Sequence, residues 1–205
     1  MSTWRASALE AAHRCALLVG VSPPLAWKRI AQALILPRDR NTGAVLAYEG
    51  AQQDAFPDLS FLLPFDPPLP RDDLERSYAS FKRREREYMI GFATAPTSAG
   101  AAFLGDRKLS AILFEQSWRP FWMPPFGMTK EAASQSYGCF VTNFGSILQA
   151  AMIGFTGLRI RDGDWARYPA SMPEGWEKIE IDRVSVRGEP KRLIAVQGRK
   201  PELLD

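Results

Sequence analysis

The hydrophobic pattern of this chain changes period once, near Gly157. Before that point apolar residues recur at three- and four-residue intervals, as on the buried stripe of a helix. After it they alternate with polar neighbours, as on a half-buried strand. The switch restricts the chain to paired helices followed by a small antiparallel sheet.

Leu9, Ala12, Leu17 and Leu18 predict a first helix over about residues 7–19. Ser22-Pro23 offers an N-cap and a first-turn residue for a second helix, with Leu25, Ile30, Leu34 and Ile35 as its stripe and Pro37 as its stop. Residues 38–58 read as a loop, long enough to expect a role of its own, and 59–64 as a short apolar run. A third helix starts at Pro70, with Asp72 and Asp73 at its positive end and Leu74, Tyr78 and Phe81 at helical spacing. Residues 93–105 are small and suit a closely packed helix. Leu109, Ile112, Leu113 and Trp118 mark another, followed by an aromatic, proline-rich loop over 118–126. A last helix is expected over 145–155, from Ile147, Leu148, Met152 and Phe155. Beyond Gly157, Leu158 and Ile160 alternate with Arg159 and Arg161, Ile179 and Ile181 with Glu180 and Asp182, and Val184 and Val186 with polar neighbours.

Composition narrows the chemistry. Apolar residues at 46% and charged residues at 24% are an ordinary globular balance. The basic run Lys82, Arg83, Arg84 and Arg86 is interleaved with Glu85 and Glu87 and lacks an aromatic RNA-binding pattern, so no nucleic-acid partner is expected. Residues 15–21 are too short an apolar stretch to span a bilayer; no membrane partner and no signal peptide are expected. One histidine, His13, leaves no Ser-His-Asp triad or His-rich metal site. Cys15 and Cys139 stand far apart and read most simply as buried thiols. No cofactor or metal is expected.

The segment 125–160 carries a family pattern. Pro125-Phe126 is followed by Glu131, then by the run from Cys139 through Asn143-Phe144-Gly145-Ser146 to Leu148-Gln149-Ala150, then by Gly154-Phe155-Thr156-Gly157-Leu158-Arg159-Ile160. This resembles glycoside hydrolase family 65, in its branch of acid trehalases and glucosylgalactosyl-hydroxylysine glucosidases. That branch shows a PF…E segment, an NFLTG-x-GG-x-LQA run and a GF-x-G-[LF]-R-[IV] ending. Pro173-Glu174-Gly175-Trp176 and Val186-Arg187-Gly188 resemble its C-terminal strands, and the remainder follows the template more loosely.

The resemblance implies a mainly α fold: about the C-terminal half of an (α/α)6 six-hairpin barrel over residues 1–156, then a small antiparallel β appendage over 157–205. It implies an inverting hydrolase of an α-linked glucoside. Such an enzyme needs a protonated carboxyl for the leaving oxygen and a carboxylate to activate water, about 6.5–9.5 Å apart. Glu131, five residues beyond Phe126, matches the general base; a loop glutamate without that match reads as solvated surface. The general acid is expected upstream of residue 1, so either the chain is a fragment or shortened gene product, or a second chain carrying the missing barrel half is an expected partner.

Gln53, Trp122, Thr142 and Asn143 are the candidate substrate contacts. Gln52-Gln53 stands where the branch has Lys-Gln, Cys139 where asparagine is usual, and Asn143 where glycine is usual, which implies a divergent site. Trp122 also reads as inter-helix packing, and Thr142 and Asn143 as caps of the last helix. No histidine lies between Pro125 and Gln149 to hold phosphate, which favours water over phosphorolysis. A carbohydrate-binding or structural remnant without turnover is the alternative, and a helical interaction protein a third.

Overall fold

The computed structural model describes residues 2–35, 37–46, 48–51, 70–83, 90–125, 127–136, 138–159, 166–186 and 188–205. Gln53, Phe126, Ile160 and the apolar run 59–64 lie outside them.

Among the described residues six helices come first: α1 (Ser2–Leu18), α2 (Leu25–Ala33), α3 (Arg71–Arg83), α4 (Gly91–Phe103), α5 (Arg107–Trp118) and α6 (Val141–Gln149). A two-residue hairpin, β1 (Trp122–Met123) and β2 (Met128–Thr129), sits between α5 and α6. The last helix runs on as a π-helical turn over Ala150–Phe155. Strands close the chain: β3 (Leu158–Arg159) pairs β4 (Ala166–Arg167), and β5 (Lys178–Val186), β6 (Glu189–Val196) and β7 (Glu202–Leu204) form an antiparallel sheet in that order. Ile181 faces Leu193 across β5–β6, and the register shifts between Ile181 and Val184. The predicted switch from helices to strands near Gly157 is present.

The middle of the molecule is α4. Ten of its residues are buried, among them Gly91, Ala93, Ala95, Ala99, Gly100, Ala101 and Ala102. Apart from the half-buried Phe92 and Phe103 its side chains are small, so it can be enclosed and lets its neighbours approach its backbone. Its hydroxyls are absorbed locally: Thr94 Oγ1 donates to the Ile90 carbonyl and Thr97 Oγ1 to Ala93, each at 2.8 Å, and Ser98 Oγ donates to Ser110 O of α5 at 2.7 Å. On one side α4 packs with Leu74, Tyr78 and Phe81 of α3 and with Leu109 and Leu113 of α5. On the other it meets Ala150 and Phe155, and also Ala170, Met172 and Ala195 from the strand region. One core therefore runs across residue 156. Phe114, Phe155 and Trp176 meet edge to face inside it, with centroids 5.2–5.8 Å apart. Arg107 ties the strand region to α5 by donating to the carbonyls of Met172 (3.0 Å) and Trp176 (2.8 Å).

Several expectations are corrected. The first helix starts earlier, at Ser2. The second begins at Leu25 with Pro24 in the cap position and no side-chain cap, so Ser22 does not serve, and it ends at Ala33, ahead of Pro37. The last helix starts at Val141, four residues ahead of Gly145, and Phe140 holds its cap position. Both cysteines are exposed, Cys139 because its residue lies in a loop ahead of α6. Arg159 occupies a polar place in the alternation yet is buried, donating from Nη1 to the carbonyls of Ile153 (2.6 Å) and Leu158 (2.7 Å). β3 is only two residues long, too short for alternation to assign a face.

The segment after α2 is seated on α3. Asp73 is buried and accepts from Arg38 Nη2 and from Arg76 Nη2, each at 2.7 Å. Val45 N donates to Ser77 Oγ at 3.0 Å, and Arg38 and Val45 bridge as an antiparallel pair. Hydrogen bonding from Arg38 holds the Asp73 carboxyl below the usual carboxylate range, against the opposing effect of burial. A folded pKa below the unfolded one gives stability that is complete above the ordinary Asp value and lost as pH falls through the folded value. Asp73→Asn should thus lower stability at neutral pH and flatten the acid limb of the stability–pH curve measured by urea unfolding; an unchanged acid limb would count against this role.

Gly157 joins the two regions at φ +76°, and a Cβ added there would lie 2.2 Å from the Tyr168 carbonyl oxygen. Gly157→Ala should cost about 2–4 kcal/mol from the left-handed backbone and the backbone clash together. Equilibrium denaturation checks this, and a loss indistinguishable from zero would show that the junction relaxes freely.

Candidate active site

The candidate site is built on the connection from α5 to α6. α5 tightens into a 3-10 turn over Arg119–Phe121, which buries Phe121. The β1–β2 hairpin then reverses the chain, pairing Trp122 with Thr129. Lys130 N donates to the Phe121 carbonyl at 2.9 Å, fixing the exit of the hairpin.

Residues 130–139 form a loop whose two ends are fastened together. Phe140 N donates to Thr129 O at 2.9 Å, and Thr129 Oγ1 donates to Phe140 O at 2.8 Å. Thr129 is fully buried, so this double link is shielded from competing water. Gly138 lets the returning strand pass closely: a Cβ there would sit 2.5 Å from Thr129 O. Inside the loop, Gln135 Oε1 accepts from the backbone N–H groups of Glu131 and Ala132, each at 3.2 Å. Lys130 Nζ donates to Ala133 O at 2.7 Å. Glu131 projects from this clamped loop as an exposed side chain.

Trp122 is 46% exposed, a half-covered indole. Trp118 and Phe144 hold it edge-on, with centroids at 6.5 and 6.4 Å. Gly127 leaves room beneath it, since an added Cβ would reach 3.0 Å from Cη2 of the indole. The inter-helix packing reading and an open aromatic surface therefore coexist in one side chain. Thr142 is exposed in the first turn of α6. Because the loop closes between Thr129 and Phe140, Glu131 and Thr142 each lie two residues beyond the same junction.

Asn143 is different. It is fully buried, its Nδ2 donates to Ser117 O at 3.3 Å, and its Oδ1 is enclosed without a hydrogen-bond partner. It packs where a Cβ on Gly91 would come within 2.3 Å of Oδ1. The residue joins the start of α6 to the end of α5 and the beginning of α4, and it offers a ligand no surface. It does not cap α6 either, which has no side-chain cap. Of the predicted contacts, Glu131, Trp122 and Thr142 are surface groups around one connection; Asn143 supports them from below, and Gln53 lies outside the described residues.

Thr129 and Gln135, which hold the loop, were not marked by sequence reasoning. Thr129 binds a partner eleven residues away, and no local pattern encodes that pairing. Among the described residues, no three His, Cys, Asp or Glu side chains are arranged to hold a metal ion. Between Glu115 and Asp162 the sequence contains one carboxylate, Glu131.

Thr129→Val removes the buried hydroxyl link and should cost about 1 kcal/mol. Hydrogen exchange should quicken across residues 130–139 and remain slow in α4. Unaltered exchange in the loop would show that the hydroxyl does not fasten it.

No family model matches the chain. Curated relatives do. Kojibiose hydrolase of Flavobacterium johnsoniae is 24% identical over 188 residues, 87% of this chain and 27% of the relative. Protein-glucosylgalactosylhydroxylysine glucosidase of Danio rerio is 28% identical over 193 residues, 88% of this chain and 27% of the relative. Kojibiose hydrolase of Mucilaginibacter mallensis is 28% identical over 81 residues, 40% of this chain and 12% of the relative. The chain spans about a quarter of the length of the two relatives it matches over most of its own length. The names of these relatives are those of enzymes that hydrolyse glucosides.

Proposed function

We propose that this chain is the part of an inverting α-glucoside hydrolase, of glycoside hydrolase family 65 type, that carries the water-activating carboxylate. In this reading residues 1–156 are about half of an (α/α)6 barrel and 157–205 its β appendage. The observation that carries it is the clamped loop 130–139: it holds an exposed Glu131 on a backbone fixed at both ends, beside a half-exposed indole and an exposed threonine. A catalytic base needs that combination of fixed backbone and open side chain. The relatives' names, hydrolases and a glucosidase, support the substrate class.

In the proposed chemistry Glu131 takes a proton from water. The water oxygen bonds to the anomeric carbon, the glycosidic carbon–oxygen bond breaks, and a second carboxyl gives its proton to the departing oxygen. Trp122 would cover an apolar face of the sugar ring and Thr142 would bond a hydroxyl. The second carboxyl would come from the other barrel half, in a further part of the same protein or in a second chain. A seat for that half is the outer face of α6, where Val141, Gly145 and Leu148 are exposed at helical spacing. A sugar-binding remnant without turnover is the second reading, favoured by the absence of any other carboxylate between Glu115 and Asp162.

The deciding assay is glucose release from kojibiose and from a glucosyl-galactose, with sugar binding followed by tryptophan fluorescence. In any preparation that releases glucose, Glu131→Gln should lower the rate about 10²–10⁴-fold and leave sugar binding in place. Release that survives the substitution removes Glu131 as the base. Binding without release in every preparation, including with added partner chain, establishes the remnant.

A further inference from the structure

The link between Thr129 and Phe140 closes the loop 130–139 at its ends, but closure alone does not direct the backbone inside it. A chain fixed at two points eleven residues apart still has a φ and a ψ to settle at every residue between them. Glu131 lies inside that interval. Among the described residues no side chain holds its carboxylate, which therefore points where the backbone and a staggered rotamer send it. Whatever sets the backbone of Glu131 sets the direction of the carboxylate.

One atom does so. Gln135 Oε1 accepts from Glu131 N and from Ala132 N, each at 3.2 Å. These are the two peptide N–H groups on either side of the Glu131 Cα, and the rotations between them are the φ and ψ of Glu131. Successive N–H groups turned toward one point make a small concavity for an oxygen. An oxygen seated there fixes both rotations together. The turn that delivers Gln135 is itself closed, because Gln135 N donates to Ala132 O at 3.1 Å. Lys130 Nζ donates to Ala133 O at 2.7 Å, beyond Ala132, and fixes neither rotation of Glu131. The chemistry of the side chain fits the task as well. A carboxylate at position 135 would accept the same two N–H groups but would set a second negative charge in the loop; glutamine supplies the acceptor without the charge.

We propose that Gln135 is the positioning residue for Glu131: by filling the concavity between the Glu131 and Ala132 N–H groups, it aims the carboxylate at the water to be activated. The inference rests on the reading of Glu131 as the base. In this role Gln135 touches neither water nor sugar and acts only through Glu131.

The experiment compares Gln135→Ala, which removes the acceptor, with Gln135→Glu, which keeps it. Amide hydrogen exchange of the full chain, followed by NMR, reads the anchoring. Exchange at Glu131 and Ala132 should quicken about tenfold or more in the alanine variant, stay slow in the glutamate variant, and remain unchanged at Phe140 in both. In preparations that release glucose, Gln135→Ala should lower kcat about 10–100-fold and leave KM within about twofold of the wild type. Gln135→Glu should recover most of that loss at neutral pH. A merely structural role would quicken exchange at Phe140 and raise KM as kcat falls, and that result overturns the proposal. So does exchange at Glu131 and Ala132 that ignores the alanine substitution, or a kcat that is intact in the alanine variant or equally reduced in both. Failure of the underlying reading looks different. Glucose release then survives Glu131→Gln, or occurs in no preparation, while the two amides still respond to Gln135→Ala. The positioning role falls with its premise in that case, and only the anchoring is left.

Discussion

The structure depends on how closely its parts can approach α4. A Cβ on Gly154 would lie 2.4 Å from the Cβ of Ala99, so the π-helical turn after α6 already touches the central helix at the limit of contact. Alanine, glycine, serine and threonine along α4 make this possible, and their hydroxyls are bonded within the helix or to α5. A larger side chain facing any neighbour would push out α3, α5 or the strand region. Overpacking of this kind typically costs about 1–3 kcal/mol. The helices and the sheet are joined through this contact, because Phe155, Ala170, Met172 and Ala195 share one cluster with Ala95 and Ala99.

The candidate site inherits its rigidity from that frame. Ser117 at the end of α5 and Gly91 at the start of α4 both abut Asn143, which fixes where α6 begins. α6 in turn fixes Phe140, and Phe140 closes the loop against Thr129. Glu131 therefore stands on a loop that is tied, through three successive contacts, to the most enclosed helix of the chain. An exposed carboxylate on an unsupported loop would have no defined direction, whereas here the backbone that bears it is held from both sides and by Gln135 from within.

How much of this was legible in the sequence depended on the reach of each signal. The small residues of α4, the leucines of α5 and the stripe of α3 announced themselves locally, and their helices lie within a few residues of where the pattern put them. The strands were readable because Ile179, Ile181, Val184 and Val186 alternate over a long enough run. Arg159 was not, since its strand is two residues long and its guanidinium turns to the carbonyls of Ile153 and Leu158. Asn143 looked like a polar residue ahead of a helix; with α6 starting at Val141 it falls on the inner face instead. The loop position of Glu131 could be read, but the Thr129–Phe140 link that steadies it joins residues eleven apart. Exposure was hidden as well, for Leu17, Leu18, Val19, Val21 and Leu25 stand in solvent where α1 turns into α2, yet they are the leucines and valines that a buried helix would carry.

The central claim is that the connection between α5 and α6 binds a glucoside through the region of Glu131. The most direct measurement is a two-dimensional amide NMR titration of the isotopically labelled chain with an α-linked disaccharide such as kojibiose. The account predicts saturable shifts confined to the Trp122 indole, the amides of the 130–139 loop and the first turn of α6. Shifts absent from that connection, or appearing instead on the β5–β7 sheet, would contradict it.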